Sequence, residues 1–156
     1  MAPYGISAWR GWWILMILLD TNVISEPLRA SPTPCVVAWI DGQPLETLCL
    51  SAITVAEMRA GIALLPAGKR QAFLRENLEE RILPMFSGRV VPFDISCAGA
   101  YARLIAQTPT AGLAISAADT FIAAIALTNK FAVATRDIRP FTAAGVMVIN
   151  PWDSVG

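Results

Sequence analysis

The sequence predicts an α/β fold, a single domain with a parallel β-sheet of about five strands sandwiched by α-helices. Three observations carry that expectation. An unbroken apolar run, Ile14 to Leu19, stops abruptly on Asp20. Without polar alternation, such a run suits a central parallel strand covered on both faces. Apolar strand-like stretches then alternate with helical spacings to the end of the chain, the pattern of a parallel sheet. Finally, 55% of the residues are hydrophobic and the mean hydropathy is +0.54. That composition fits a two-sided sheet and leaves apolar surface for a partner.

The elements follow in order. Residues 1–15, with Trp9, Trp12 and Trp13 crowded together, differ in composition from the rest. They are expected to be an N-terminal extension, a mis-called start or a disordered leader, with the domain proper over 16–153. The apolar run ending at Leu19 is far shorter than the ~20 residues a membrane span needs, and no small-residue cleavage site follows it. Asn22 to Leu28 suits a short helix, stopped by Ser31-Pro32-Thr33-Pro34, and Cys35 to Asp41 a second one ending at Gly42. Leu48 to Leu50 is the second strand. Thr54 to Leu65 has helical spacing, broken by Pro66-Ala67-Gly68. Lys69 to Leu83 is amphipathic, with Phe73, Leu74, Leu78, Ile82 and Leu83 on one face. Arg89 to Phe93 is the third strand, and Asp94 N-caps a helix reaching Ala106. A loop over Thr108 to Gly112 precedes a helix from Ser116 to Asn129. Phe131 to Thr135 and Val146 to Ile149 are the last two strands.

Composition narrows the chemistry. At 156 residues the chain is one domain's worth, with no internal repeat and no low-complexity segment. The formal net charge is zero, so the broad basic footprint of a nonspecific nucleic-acid binder is missing and any such contact must be local. Cys35, Cys49 and Cys97 are scattered and read as reduced thiols of a cytoplasmic protein. The chain has no histidine, which removes His-based triads and His-rich metal sites. A hydrolase built from this sequence must work with carboxylates.

Four carboxylates stand at corresponding places. Asp20 ends the first strand, Glu57 follows the second, Asp119 opens a helix that is apolar nearly all round, and Asp137 follows the fourth strand. Each has an ordinary explanation. Asp20 can cap the next helix. Thr54-x-x-Glu57 and Ser116-x-x-Asp119 match capping boxes, and Asp137 can be a turn residue. Together they are harder to dismiss, because strand ends and the helix starts after them converge on one edge of a parallel sheet, where α/β proteins bind ligands. Like charges held together repel, and hard cations such as Mg²⁺ or Mn²⁺ relieve that repulsion with oxygen-only ligands. One or two such ions can activate a water against a phosphodiester without histidine. Asp94 also lies beyond a strand, but with no polar company it reads as a cap only.

The stretches Leu18-Leu19-Asp20-Thr21-Asn22-Val23-Ile24-Ser25, Leu50-Ser51-Ala52-Ile53-Thr54-Val55-Ala56-Glu57, Ala118-Asp119-x-x-Ile122-Ala123-Ala124 and Ala134-Thr135-Arg136-Asp137 resemble PIN-domain ribonucleases. More narrowly, with the closing Val148-Ile149-Asn150-Pro151-Trp152, they resemble the VapC/FitB-type toxins of bacterial toxin–antitoxin pairs. The likeness covers about Met16 to Asp153. It implies a PIN fold, a cytoplasmic homodimer, and endonucleolytic hydrolysis of RNA with Mg²⁺ or Mn²⁺. Asp20, Glu57, Asp119 and Asp137 would hold the metal and carry the catalysis, with Asn22 and Thr135 as supporting polar residues. It also implies a cognate antitoxin as partner, with operator DNA reached only through that antitoxin. The leader before Met16 and the bland loop Thr108 to Ile115 depart from the family pattern.

Two other readings compete with a toxin nuclease: a subunit of an antitoxin–DNA repressor complex with little catalysis of its own, and a housekeeping PIN-fold nuclease. A phosphatase of the Asp-x-Asp type is set aside, since Asn22 stands where the second Asp is needed. Arg59, Arg136 and Arg139 lie near the carboxylates in sequence and are candidate substrate contacts, each weighed against an ordinary solvated arginine. Val36, Val37, Trp39 and Ile40, with Phe73 and Leu74, are expected to form a groove for an amphipathic antitoxin helix.

Overall fold

The computed structural model describes residues 8–9, 12–13, 15–111 and 115–153. Its main sheet has five parallel strands in the order β5-β4-β3-β6-β7: β3 (Ile17–Leu19), β4 (Leu48–Ser51), β5 (Val90–Val91), β6 (Ala132–Ala134) and β7 (Val148–Ile149). The first apolar run therefore supplies the central strand. Ile17 pairs with both Leu48 and Ala132, Leu18 with both Cys49 and Val133. In the leader, β1 (Ala8–Trp9) and β2 (Trp12–Trp13) pair antiparallel as a separate two-stranded sheet.

The central strand carries no polar alternation because both of its faces are covered. Leu18, Cys49, Val91 and Val133 face one apolar cluster, closed by α6 (Ile95–Ala111), α7 (Ala117–Asn129) and Phe141 of α8 (Ile138–Ala143). Ile17, Leu19, Leu48, Leu50, Ala132 and Ala134 face the other. That cluster is closed by α1 (Thr21–Ile24), α3 (Ala52–Ala63) and the helical stretch formed by α4 (Lys69–Glu76), a π-helical segment (Asn77–Ile82) and α5 (Leu83–Met85). α2 (Pro34–Asp41) lies on this second side and adds Trp39 and Ile40 to the edge of the cluster. No helix among the described residues is long and apolar enough to cross a membrane.

Several elements differ from the sequence reading, each for a physical reason. The helix expected over Asn22 to Leu28 is split into α1 and a 3₁₀ turn, Glu26–Leu28, because Pro27 disfavours α geometry in the residue before it. The buried Glu26 then clamps the turn, accepting from the backbone N–H of Thr33 (2.9 Å) and its hydroxyl (2.7 Å). These bonds hold its carboxyl below the usual range. Helix α3 begins at Ala52, since Ser51 caps it by accepting from the Thr54 N–H at 3.0 Å. The ordinary explanation of Glu57 as part of a Thr54-x-x-Glu57 capping box is therefore overturned. In the long helix the π segment alters the facing of side chains, and Phe73 is exposed, while Leu78 and Ile82 are buried. Helix α6 runs on through Ala111 rather than stopping at Ala106, as Pro109 removes one backbone donor without ending the last turn. The part of the expected loop over 112–114 lies outside the described residues. Helix α8 had no counterpart in the sequence reading. Its Pro140 sits in the first turn, where the missing N–H has no intrahelical partner to lose.

Lys130 closes α7 in the left-handed conformation, with φ 59° and ψ 41°. Its N–H and that of Phe131 turn back to Leu127 and Ala126, a Schellman closure. A left-handed backbone costs a non-glycine residue roughly 1 kcal/mol. Lys130→Gly is therefore expected to raise the melting temperature by about 2–4 °C, a shift of that order for a domain of this size. Thermal denaturation followed by circular dichroism checks it.

Candidate active site

Asp20 is held at the carboxyl end of the central strand by the sheet itself: its N–H donates to the Ala134 carbonyl at 2.9 Å. Its side chain is only 6% exposed. Oδ1 accepts from the Thr21 N–H at 2.8 Å, which makes Asp20 the cap of α1. Oδ2 accepts from the Thr135 hydroxyl at 2.8 Å. The capping explanation is thus true of Asp20, but it accounts for only one of its oxygens.

Thr135 is the fully buried hub of the site. While its hydroxyl donates to Asp20, it accepts from the Asp137 N–H at 3.0 Å and from the Asn22 side-chain amide at 3.3 Å. One proton and two lone pairs are all used. Asn22 in turn accepts the Arg136 N–H at 3.2 Å. The chain on both sides of the β6 end is thereby tied to the start of α1.

Glu57 is exposed in α3, one turn beyond the cap formed by Ser51 and Thr54, and its carboxylate accepts from the Thr21 hydroxyl at 3.1 Å. Thr21, which the sequence reading passed over, therefore links Asp20 to Glu57. The signal available was only its place between Asp20 and Asn22. Asp119 is partly buried in the first turn of α7, where its N–H donates to Ser116 at 3.1 Å, as the capping-box pattern predicts. Asp137 precedes α8 but makes no capping bond with its side chain.

The four carboxylates share one electrostatic space. Burial pushes the Asp20 carboxyl above its ordinary range; the bonds from Thr135 and Thr21 oppose the shift, and the charges of Glu57 and Asp137 add to it. Asp119 is raised by burial, eased by Ser116, and raised further by Asp20 and Asp137. Among the described residues no three Asp, Glu, Cys or His side chains stand close enough together to grip an ion unaided. The donors that face the shared space are all oxygens, and each Asp20 oxygen accepts a single hydrogen bond and keeps lone pairs free. That chemistry fits a hard divalent cation. Asp94 stands apart: it accepts from the Ser96 N–H and hydroxyl, which hold its carboxyl below the ordinary range, and it caps α6 as expected.

The arginines separate cleanly. Arg59 is locked onto Glu79 through two bonds, at 2.7 and 3.0 Å, and Arg139 is an exposed residue of α8 beside a shallow surface hollow. Arg136 stands at the site itself, its guanidinium 5.2 Å from the centre of the Trp152 ring.

Residues 17–146 match the model of the PIN domain. The chain belongs to the PIN-domain family. It is 66% identical over 139 residues to the plasmid stability protein StbB of Pseudomonas syringae pv. tomato, across 89% of this chain and all of that protein. It is 55% identical to the VapC ribonuclease Y4jK of Sinorhizobium fredii and 56% identical to the toxin FitB of Neisseria gonorrhoeae, covering 88% of this chain and 99% of each relative. A solved structure of FitAB bound to the IR36 DNA fragment superposes with a TM-score of 0.85 at 54% identity, over 90% of this chain and 99% of the other. The PIN fold inferred from the four sequence stretches is therefore the fold of this protein.

The raised carboxyls define a pH dependence. Asp20 and Asp119 hold protons more tightly in the folded chain than in the unfolded one. The stability this contributes is present below the unfolded range near pH 4 and is lost as pH rises through the higher folded values. In metal-free buffer, Asp20→Asn, which keeps the capping oxygen and removes the charge, is expected to melt higher than the wild type near neutral pH. The difference should shrink toward about pH 4, the ordinary carboxylate range. Melting curves in EDTA across that interval test it, and a gap that does not depend on pH contradicts the electrostatic account.

Proposed function

We propose that this chain is the toxin of a toxin–antitoxin pair, a homodimeric Mg²⁺- or Mn²⁺-dependent endoribonuclease. The observation that carries the reading is the buried Asp20 at the end of the central strand, coupled by charge to Glu57, Asp119 and Asp137. Relatives named as a ribonuclease and as a toxin support it. Asp20, Glu57, Asp119 and Asp137 would hold the metal. The bound ion would supply a water of lowered pKa and offset the charge of the phosphodiester. The chain's own residues prepare that chemistry. Thr135 fixes one Asp20 oxygen and, through the Asp137 N–H, sets where Asp137 leaves β6. Thr21 steadies Glu57, and Ser116 fixes the start of the helix that carries Asp119.

The metal reading is tested with single-stranded RNA in Mg²⁺, Mn²⁺ or EDTA. Asp20→Asn is expected to lose cleavage by two or more orders of magnitude while staying folded, whereas Asp94→Asn stays within about twofold of wild type, as befits a helix cap. Undiminished cutting in EDTA, or an Asp20→Asn enzyme that cuts like wild type, sinks the metal site.

The partner reading has a surface. A groove of about 260 Å³ runs between the 3₁₀ turn and helices α3 and α4, lined by Leu28, Met58, Ile62, Leu65 and Leu74 together with Arg29 and Arg70. Thr21 and Glu57 line it too, so it opens onto the carboxylates. This shifts the groove expected around Val36 and Trp39. Val36 is fully buried, and Trp39 and Ile40 pack against the core, leaving Leu74 as the shared wall. The solved FitAB complex on DNA supports an occupant contributed by the antitoxin, which would also carry the DNA contact. An apolar helical segment fits the lining. Gly61 is an exposed groove residue of α3, and a Cβ built on it meets nothing within 4 Å. Gly61→Leu is therefore expected to fill the groove, stabilise α3 by roughly 0.5–1 kcal/mol, and weaken antitoxin binding at least tenfold. RNA cleavage by the free toxin should persist. Titration calorimetry with the co-expressed antitoxin decides it, and unchanged affinity places the antitoxin elsewhere.

A further inference from the structure

Cleaving a phosphodiester beside four carboxylates requires that a polyanion be drawn to a negative centre. That asks for a cation held at the mouth, with donors left for the phosphate. Most arginines near the site are already engaged. Arg59 is committed to Glu79 and Arg29 to Glu26. Arg70 donates to the Leu28 carbonyl and lies over Phe73.

Arg136 is different. It lies between Thr135, the hub, and Asp137, and its backbone is pinned by the bond from its own N–H to Asn22 and by the one from the Asp137 N–H to Thr135. Its guanidinium lies over the Trp152 ring, and among the described residues it forms no ion pair. Trp152 is a firm base for it. It follows β7 at the same edge of the sheet, and its backbone N–H donates to the Asn150 side chain at 3.0 Å. Its carbonyl accepts from the Cys35 thiol at 3.9 Å, and its ring packs against the second core cluster. An aromatic face beneath a guanidinium attracts the cation and leaves N–H groups free for a planar or tetrahedral anion. β7 lies two strand spacings, about 10 Å, from β3, and β6, which Arg136 follows, runs between them.

We infer that Arg136, seated over the Trp152 ring, is a substrate-binding residue that grips a phosphate of the RNA strand next to the one being cut, and that Trp152 is its positioning residue. The inference rests on the ribonuclease reading and adds the path of the substrate: the strand crosses the sheet edge from the carboxylates toward the C-terminal turn after β7. Arg136 carries binding and register, not bond breaking.

The test measures KM and kcat on single-stranded RNA in Mg²⁺ over a series of salt concentrations. It also measures Kd by fluorescence anisotropy of labelled RNA on an Asp20→Asn background, where cutting is expected to be too slow to disturb the equilibrium. Arg136→Ala is expected to raise KM and Kd about tenfold, as for loss of one charge-assisted contact, with kcat little changed. It should also lower the slope of log affinity against log salt by about 0.7, the value for one phosphate on a single strand. Arg136→Lys should keep the slope but bind more weakly than wild type, since an ammonium neither stacks flat nor forks. Trp152→Phe should behave as wild type, and Trp152→Leu should resemble Arg136→Ala. Combining Trp152→Leu with Arg136→Ala should add little, because both remove one device. Should Trp152→Leu misfold, the alanine, lysine and phenylalanine variants still decide the matter. A wild-type KM and salt slope in Arg136→Ala, or a loss confined to kcat, overturns the inference while leaving the nuclease reading intact. A wild-type protein that neither binds nor cuts RNA overturns both.

Discussion

The constraint on which the site depends is the burial of a carboxylate at the end of the most enclosed strand. Asp20 is nearly out of solvent, where its charge is unfavourable unless bonds or a cation offset it. The protein meets part of that need with two hydrogen bonds, from the Thr21 N–H and the Thr135 hydroxyl. Those bonds oppose the desolvation, yet the carboxyl remains raised. The surrounding carboxylates increase the deficit rather than relieve it. A fold does not assemble such an arrangement for its own stability; it is the arrangement expected of a functional centre.

The position of Asp20 is a consequence of sheet geometry. Its N–H extends the ladder to Ala134, and the Thr135 N–H extends the next one to Ile149. The hydrogen-bonded register of three strands thus runs directly into the site, and the Thr135 hydroxyl can reach Asp20 because β3 and β6 are neighbours. On the second face of the sheet, the clamp of Glu26 on Thr33 holds the turn that carries Leu28. Leu28 is one wall of the groove beside the carboxylates. A buried acid with no part in the chemistry therefore shapes the surface where a partner is proposed to enter.

Local capping chemistry explains both a success and a failure of sequence reading. Ser116-x-x-Asp119 is a true cap, and the residue inside it is one of the four proposed to hold the metal, so the ordinary explanation leaves room for the functional one. Thr54-x-x-Glu57 looked the same, but Ser51 is the cap and Glu57 stands a turn further on, turned toward Thr21. The two cases share a residue pattern and differ in where the preceding strand ends. Chain-local sequence does not specify a strand end to one residue.

Much of the architecture was legible because it follows from periodicity and chain order. The unbroken run before Asp20 determined a strand buried on both faces, and the alternation of strands with helices determined a parallel sheet. A parallel sheet brings its strand ends to one edge. Asp20, Glu57, Asp119 and Asp137 could therefore be gathered from chain order alone. The sequence did not determine which polar neighbours hold them. The bonds of Thr135 to Asp20 and Asn22, the link from Thr21 to Glu57 and the seating of Arg136 on Trp152 join residues of different elements, far apart in the chain; only the Asp137 N–H reaches Thr135 locally. The pairing of Arg59 with Glu79 is of the same kind, joining two helices and withdrawing an arginine that sequence position alone had placed near the site. These contacts depend on strand order, on helix facing and on a π-helical segment. Only packing decides those, since each is set by the relative placement of elements and not by the residues within any one of them.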